Sequence, residues 1–256
     1  MTNVTIPAQV LKTAASFVTR DERRPAMTNV QVWNRPGLGL HVTATDAHVL
    51  YSWKSAPLPF EFQFLIEGLR PKEKREDFRF QIEPGGLPVA ESGGILNHGQ
   101  AVAAADSTKK PYKGPVAHNS HTYPNWPAVV PEKGSEKEWT AGCADLRDTI
   151  ERIRRCANET SNQLTFDFKN EVITAADLDY NIEARASLPF KSLDDDIQKM
   201  AFCAPKFLQA LSPFDKRWPV KISIWRPNWA VIVNGEHGGK VPGESFVLLM
   251  PAMLSE

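Results

Sequence analysis

No uninterrupted apolar run in this 256-residue chain approaches the roughly 20 residues a helix needs to cross a bilayer. The N-terminus, MTNVTIPAQVLK, lacks the basic stretch and apolar core of a secretion signal. These two absences predict a cytoplasmic protein with no membrane partner. Cysteine is scarce: Cys143, Cys156 and Cys203 are odd in number, widely spaced and without a CxxC pair, which argues against a disulfide framework or a zinc site and leaves buried thiols as the expectation. Charge of one sign is not in excess either, with 30 Lys and Arg against 30 Asp and Glu. Proteins that coat nucleic acid through bulk electrostatics are usually strongly basic, so that class is disfavoured.

Motifs for catalysis are also missing. His118 and His121 form HxxH, and Asp46 with His48 forms DxH, but no HExxH or carboxylate cluster accompanies them, so a metal hydrolase is not indicated. The glycine pairs in GGILNHG and GEHGGK match neither GxGxxG nor GxxxxGK[ST], so no nucleotide site is indicated. The expectation is a protein that needs no cofactor and no metal. Of the seven tryptophans, Trp33, Trp126, Trp139, Trp218 and Trp225 lie within or beside strand-like segments, where packing is the natural role rather than a base-stacking platform.

What the chain does contain is ordinary globular material, 42% hydrophobic and 23% charged, enough for one large domain or two of usual size. Its pattern repeats. In the C-terminal half KEWTAG reads as a strand, and CADLRDTIERIRRCA as a helix with Leu146, Ile150, Ile153 and Ala157 on one face. NQLTFDF, EVITAAD and YNIEARASL follow as three alternating strands. The series restarts with KMAFC as strand, APKFLQAL as helix, and PVKISIW, NWAVIVNG and SFVLLMP as strands. In the N-terminal half TNVTI is a strand, PAQVLKTAASFV a helix opened by proline, and TNVQVWN, GLHVTATD and HVLYSW are strands. FEFQFLIEG begins a second unit there, but LRPKEKREDF is too charged for a convincing helix and GGLPVAESGG reads as a loop. The polar stretch PEKGSEKE suits an interdomain connector, giving domains 1–131 and 132–256.

Three distant segments carry the strongest signal: ATDAHVLY (Ala44 to Tyr51), YPNWPAVVP (Tyr123 to Pro131) and FVLLMPAML (Phe246 to Leu254). In order and spacing they resemble the segments of the bacterial DNA polymerase III β subunit, the β sliding clamp, whose consensus reads roughly ATDGHRLA, FPDYRRVLP and VVMPMRL. The resemblance covers essentially the whole chain but only the second and third of that family's three domains.

The resemblance implies an α+β fold, the DNA clamp fold, with two clamp domains each built from repeated β-α-β-β-β units. A six-domain ring would then need three chains, a homotrimer. Such a ring can carry positive charge inside and negative charge outside with no net charge. It implies a processivity factor, not an enzyme, that encircles double-stranded DNA, is served by a clamp loader, and tethers a replicative DNA polymerase. A partner-peptide pocket would use Thr45, His48 and Leu50 from the first segment, Pro124 and Val129 from the second, and Met250 and Pro251 from the third. Departures stand at Ala47, Val49, Ala128 and Ala252, and Ser255 and Glu256 extend past the family's usual final leucine. The helices would face DNA through Lys12, Arg20, Arg147, Arg154, Arg155 and Lys206. A second reading is a clamp-fold adaptor or competitor that keeps the pocket without encircling DNA.

Overall fold

The structure, a computed structural model, describes residues 2–69, 77–86, 88–90, 96–97, 116–132, 134, 136–187, 197, 199–235 and 243–253. The chain divides into two compact units, Met1–Pro124 and Asn125–Glu256. This division falls inside YPNWPAVVP, ahead of the polar connector.

The C-terminal unit gives the repeat in full. It runs β10 (Lys137–Gly142), α2 (Cys143–Ile153), β11 (Gln163–Asp167), β12 (Val172–Asp177) and β13 (Ile182–Ser187). It then repeats as β14 (Lys199–Cys203), α3 (Ala204–Leu211), β15 (Pro219–Ile224), β16 (Val231–Gly235) and β17 (Glu244–Leu249). Each repeat lends its first strand to the other. β10 pairs antiparallel with β15, Trp139 opposite Ile222, and β14 pairs antiparallel with β11, Ala201 opposite Thr165. The two sheets are therefore β10-β15-β16-β17 and β13-β12-β11-β14. Neither repeat can unfold without stripping a strand from the other's sheet.

The helices are placed by their apolar stripes. α2 buries Cys143, Leu146, Ile150 and Ile153 at spacings of three and four, and Ala157 just beyond is also buried. It is shorter than the sequence suggests, giving way to a 3-10 turn at Arg154–Cys156. α3 spans the eight expected residues and buries Phe207, Leu208 and Leu211. Phe207 stacks on Phe166 of β11 at 5.0 Å, and Phe166 meets Phe202 of β14 at 5.3 Å and Trp139 of β10 at 6.1 Å. One aromatic cluster thus joins both repeats. Of the three thiols only Cys143 is buried; Cys156 and Cys203 are half-buried, so the expectation of three buried thiols holds for one.

The N-terminal unit opens on β1 (Thr2–Ile6), α1 (Ala8–Ala14), β2 (Val30–Arg35), β3 (Gly39–Thr45) and β4 (Val49–Ser55). It continues with β5 (Phe62–Glu67), β6 (Phe78–Ile82) and the short strands β7 (Val89–Ala90), β8 (Leu96–Asn97) and β9 (Val116–His118). The same exchange is present: β1 pairs with β6, and β5 pairs with β2. β7 lies in the glycine-rich stretch read as a loop. Most of LRPKEKREDF, where a second helix was in question, lies outside the described residues, as does the Ser255–Glu256 tail.

Candidate partner-binding site

The first segment is a tight turn between two paired strands. Thr45 and Leu50 face each other across β3 and β4, and the chain reverses through Asp46, Ala47 and His48. The Thr45 hydroxyl donates to the Val49 carbonyl at 2.9 Å and accepts the Ala47 N–H at 3.1 Å, while one Asp46 carboxylate oxygen accepts the N–H groups of His48 and Val49 at 2.9 and 3.0 Å. This turn forces Ala47 to a φ of 77°, in the left-handed region that favours glycine. The consensus glycine at this place therefore has a backbone reason that the chain still obeys. Replacing Ala47 with glycine should raise stability by up to about 1 kcal/mol, the relief of left-handed strain being partly offset by unfolded-state entropy; equilibrium urea unfolding would measure it.

His48 is exposed on the turn, whereas Thr45 and Leu50 are buried to within a few per cent. Val49, a departure from the consensus, lies in the core of the unit, so the change from arginine alters packing there rather than surface charge. Tyr123, at the start of the second segment, is buried with its hydroxyl facing the Thr45 backbone without completing a well-formed hydrogen bond. Burial pushes this phenol well above its ordinary pKa, and it stays protonated at neutral pH. Pro124 follows it, half-buried.

The rest of the second segment belongs to the C-terminal unit. A 3-10 turn at Trp126–Val129, with proline early in it, buries Trp126 and presents Val129, 57% exposed. Trp126 lies 6.2 Å from Phe246 of β17, tying this turn to the third segment. β17 ends at Leu249, leaving Met250 43% exposed and Pro251 half-buried; the Ala252 N–H then donates to the Ala201 carbonyl of β14 at 2.8 Å. Within the N-terminal unit Tyr123 is thus anchored beside Thr45, and within the C-terminal unit Trp126 is anchored on Phe246. Sequence reasoning did not assign these anchors; their signal was an aromatic next to proline, twice within four residues.

The proposed DNA-facing cations are less uniform than the sequence suggests. Lys12 is exposed on α1, but Arg20 lies in the loop after it, because α1 ends at Ala14. Arg147 turns a guanidinium N–H toward the Leu208 carbonyl at 3.4 Å. That carbonyl lies in the last turn of α3, where the Ser212 N–H bonds to Gln209 instead, so Arg147 serves as a cap between helices. Arg154 pairs with Glu151 at 2.6 Å, and Arg155 is exposed; both sit in the 3-10 turn rather than on the helix. Lys206 is half-buried on α3. In the HxxH pair, His118 is buried with Nδ1 2.7 Å from the Ser120 hydroxyl. Trp33, Trp126 and Trp139 are core residues, as read, whereas Trp218 is about half-exposed.

No family model matches the sequence, and no curated protein matches it. Solved structures do. A DnaN sliding clamp (DNA polymerase III subunit beta) from Pseudomonas aeruginosa, bound to griselimycin, is similar over 99% of this chain and 66% of that one, with a TM-score of 0.69 at 16% identity. The DNA polymerase β subunit of Streptococcus pyogenes gives a TM-score of 0.72 at 15% identity over the same shares. That of Thermotoga maritima gives 0.70 at 12% identity, again over 99% and 66%.

The chain has the sliding-clamp fold. It spans about two thirds of the length of the clamps it resembles. In this clamp fold the strand exchange within each unit is the device that lets a repeated β-α-β-β-β sequence close on itself. No described helix is long and apolar enough to cross a membrane.

Proposed function

We propose that this protein is a DNA sliding clamp: a non-enzymatic ring that encircles duplex DNA, is placed there by a clamp loader, and holds a replicative polymerase through a short peptide. The observation that carries the reading is the fold, which matches that of a DNA polymerase β subunit over 99% of this chain with a TM-score of 0.72. Topological linkage supplies retention, so tight DNA contacts are not required. The modest set of cations fits this: Arg147 and Arg154 have partners within the protein, leaving Lys12, Arg20 and Arg155 exposed for loose phosphate contact.

Ring closure needs an open strand edge. β13 pairs only with β12 among the described residues; the turn leading into it exposes Leu178 and Tyr180, and its first residue, Ile182, is exposed as well. Head-to-tail closure by three copies predicts a particle of about three times 28.6 kDa by sedimentation. Protein loaded on a circular duplex should survive a moderate salt wash and be released when the circle is cut. Equal retention on circular and linear DNA would overturn the ring.

One observation favours the adaptor reading instead. Among the described residues, the sheet β1-β6-β7 of the N-terminal unit ends on a two-residue strand, where the matching C-terminal sheet, β10-β15-β16-β17, has four full strands. A concentration-independent monomer that still binds partner peptide would establish that reading.

A further inference from the structure

The end of β9 brings together three residues that the proposed clamp function does not use. β9 pairs antiparallel with β5, Glu67 opposite Val116 and Leu65 opposite His118, so Glu67 and His118 are diagonal neighbours on one face of the sheet in the N-terminal unit. His118 is buried, and a Glu67 carboxylate oxygen lies 3.7 Å from its Nε2. The chain leaves the strand at Asn119 and bends at once. This bend returns the Ser120 hydroxyl to 2.7 Å and the Ser120 N–H to 3.3 Å from Nδ1 of the same ring. The His121 ring stands edge-on to His118 at 6.1 Å, and Ser120 itself is exposed.

The contacts of Nδ1 fix the tautomer. A backbone N–H can only donate, so Nδ1 accepts, and in the neutral ring the proton sits on Nε2, the nitrogen beside Glu67. The Ser120 hydroxyl then donates to a basic nitrogen. A solvent-facing hydroxyl on a buried base, with a carboxylate behind that base, is the arrangement that activates a serine as a nucleophile. When the ring takes up the hydroxyl proton it becomes a cation, and the 3.7 Å separation, too long for a strong hydrogen bond, becomes an ion pair. Glu67 therefore stabilises the protonated ring more than the neutral one, which is what lowers a barrier.

We infer that Ser120 is an acylation site, a nucleophilic serine that takes an acyl group from an activated ester, with His118 as its general base and Glu67 as the positioning residue behind it. The Ser120 Oγ bonds to the carbonyl carbon as its proton passes to His118 Nδ1. The ester C–O bond then breaks with its electron pair on the leaving oxygen, to which His118 returns the proton. One transfer is asked of the site rather than turnover, and the ring proposed above does not depend on it.

The test exposes the full-length protein briefly to p-nitrophenyl acetate and locates the acetyl groups by peptide mass spectrometry. Ser120 should be acetylated at least about tenfold faster than Ser161, an exposed serine of the C-terminal unit. His118→Asn keeps a polar group near the Nδ1 position but removes the base, and should slow acetylation of Ser120 about a hundredfold, with urea unfolding to verify the fold. Glu67→Gln should slow it about tenfold and Glu67→Asp should recover most of that loss, because the charge and not the shape is what the protonated ring needs. Equal rates at Ser120 and Ser161 in the wild-type protein would overturn the inference, and this comparison stands even if the His118 variant fails to fold. An unchanged rate in a folded His118→Asn variant would overturn it as well. An unchanged rate in Glu67→Gln would overturn the role assigned to Glu67.

Discussion

Replacing Phe166 with alanine should destabilise the C-terminal unit by about 3–5 kcal/mol, a large share of the 5–15 kcal/mol on which an ordinary domain depends. Phe166 is fully buried and its ring contacts Phe207 at 5.0 Å, Phe202 at 5.3 Å and Trp139 at 6.1 Å. Those partners come from α3, β14 and β10, so the cavity would open between the two repeats, where strand exchange prevents either from collapsing to fill it. Urea unfolding should show the midpoint of this unit falling with little change in slope. Phe166→Leu should cost clearly less, because it keeps most of the volume. A loss below about 1 kcal/mol for the alanine variant would mean that the aromatic cluster does not join the repeats.

If the proposed peptide binding holds, Met250→Asp should weaken binding of a short partner peptide with apolar anchors by about 30-fold or more, the effect of losing an anchor worth roughly 2 kcal/mol. Stability should stay within about 0.5 kcal/mol of wild type, because Met250 lies beyond the end of β17 and is 43% exposed. Met250→Leu keeps the apolar volume and should keep most of the binding. Calorimetry for affinity and urea unfolding for stability separate the two effects. Wild-type affinity in the aspartate variant would place the peptide elsewhere.

The helices show what periodicity can and cannot carry. Leu146, Ile150, Ile153 and Ala157 were readable as one face because burial in a helix repeats every three to four residues, and all four are buried. The end of α2 was not readable. Arg154 and Arg155 continue a good helical composition, yet the chain tightens into a 3-10 turn there. Nor could spacing reveal that Arg147 caps α3, since the carbonyl it serves is 61 residues away in the chain.

The candidate site divides along the same line. The three segments were visible as motifs, and the left-handed Ala47 explains one consensus position in backbone terms. Sequence marked Val49 only as a departure from the consensus of the first segment, and the fold puts it in the core; β4 is buried on both faces, so alternation says nothing about which side a residue takes.

By itself the sequence determined the order and type of the elements from β1 to β5 and throughout the C-terminal unit, since alternation and helical spacing are local properties that each segment states for itself. It also determined the charge balance, which disfavours a protein that coats nucleic acid through bulk electrostatics. Only the tertiary structure decided that β10 joins β15 and β14 joins β11, because pairing partners far apart in the chain leave no local mark. Tertiary structure likewise decided which cations remain exposed and which are used within the protein. It also decided which apolar residues of the three segments are spent on the core, Leu50 and Trp126, and which are left exposed, Val129, Met250 and Met253. That last distinction depends on what packs against each side chain, a property of the folded chain that no single segment contains.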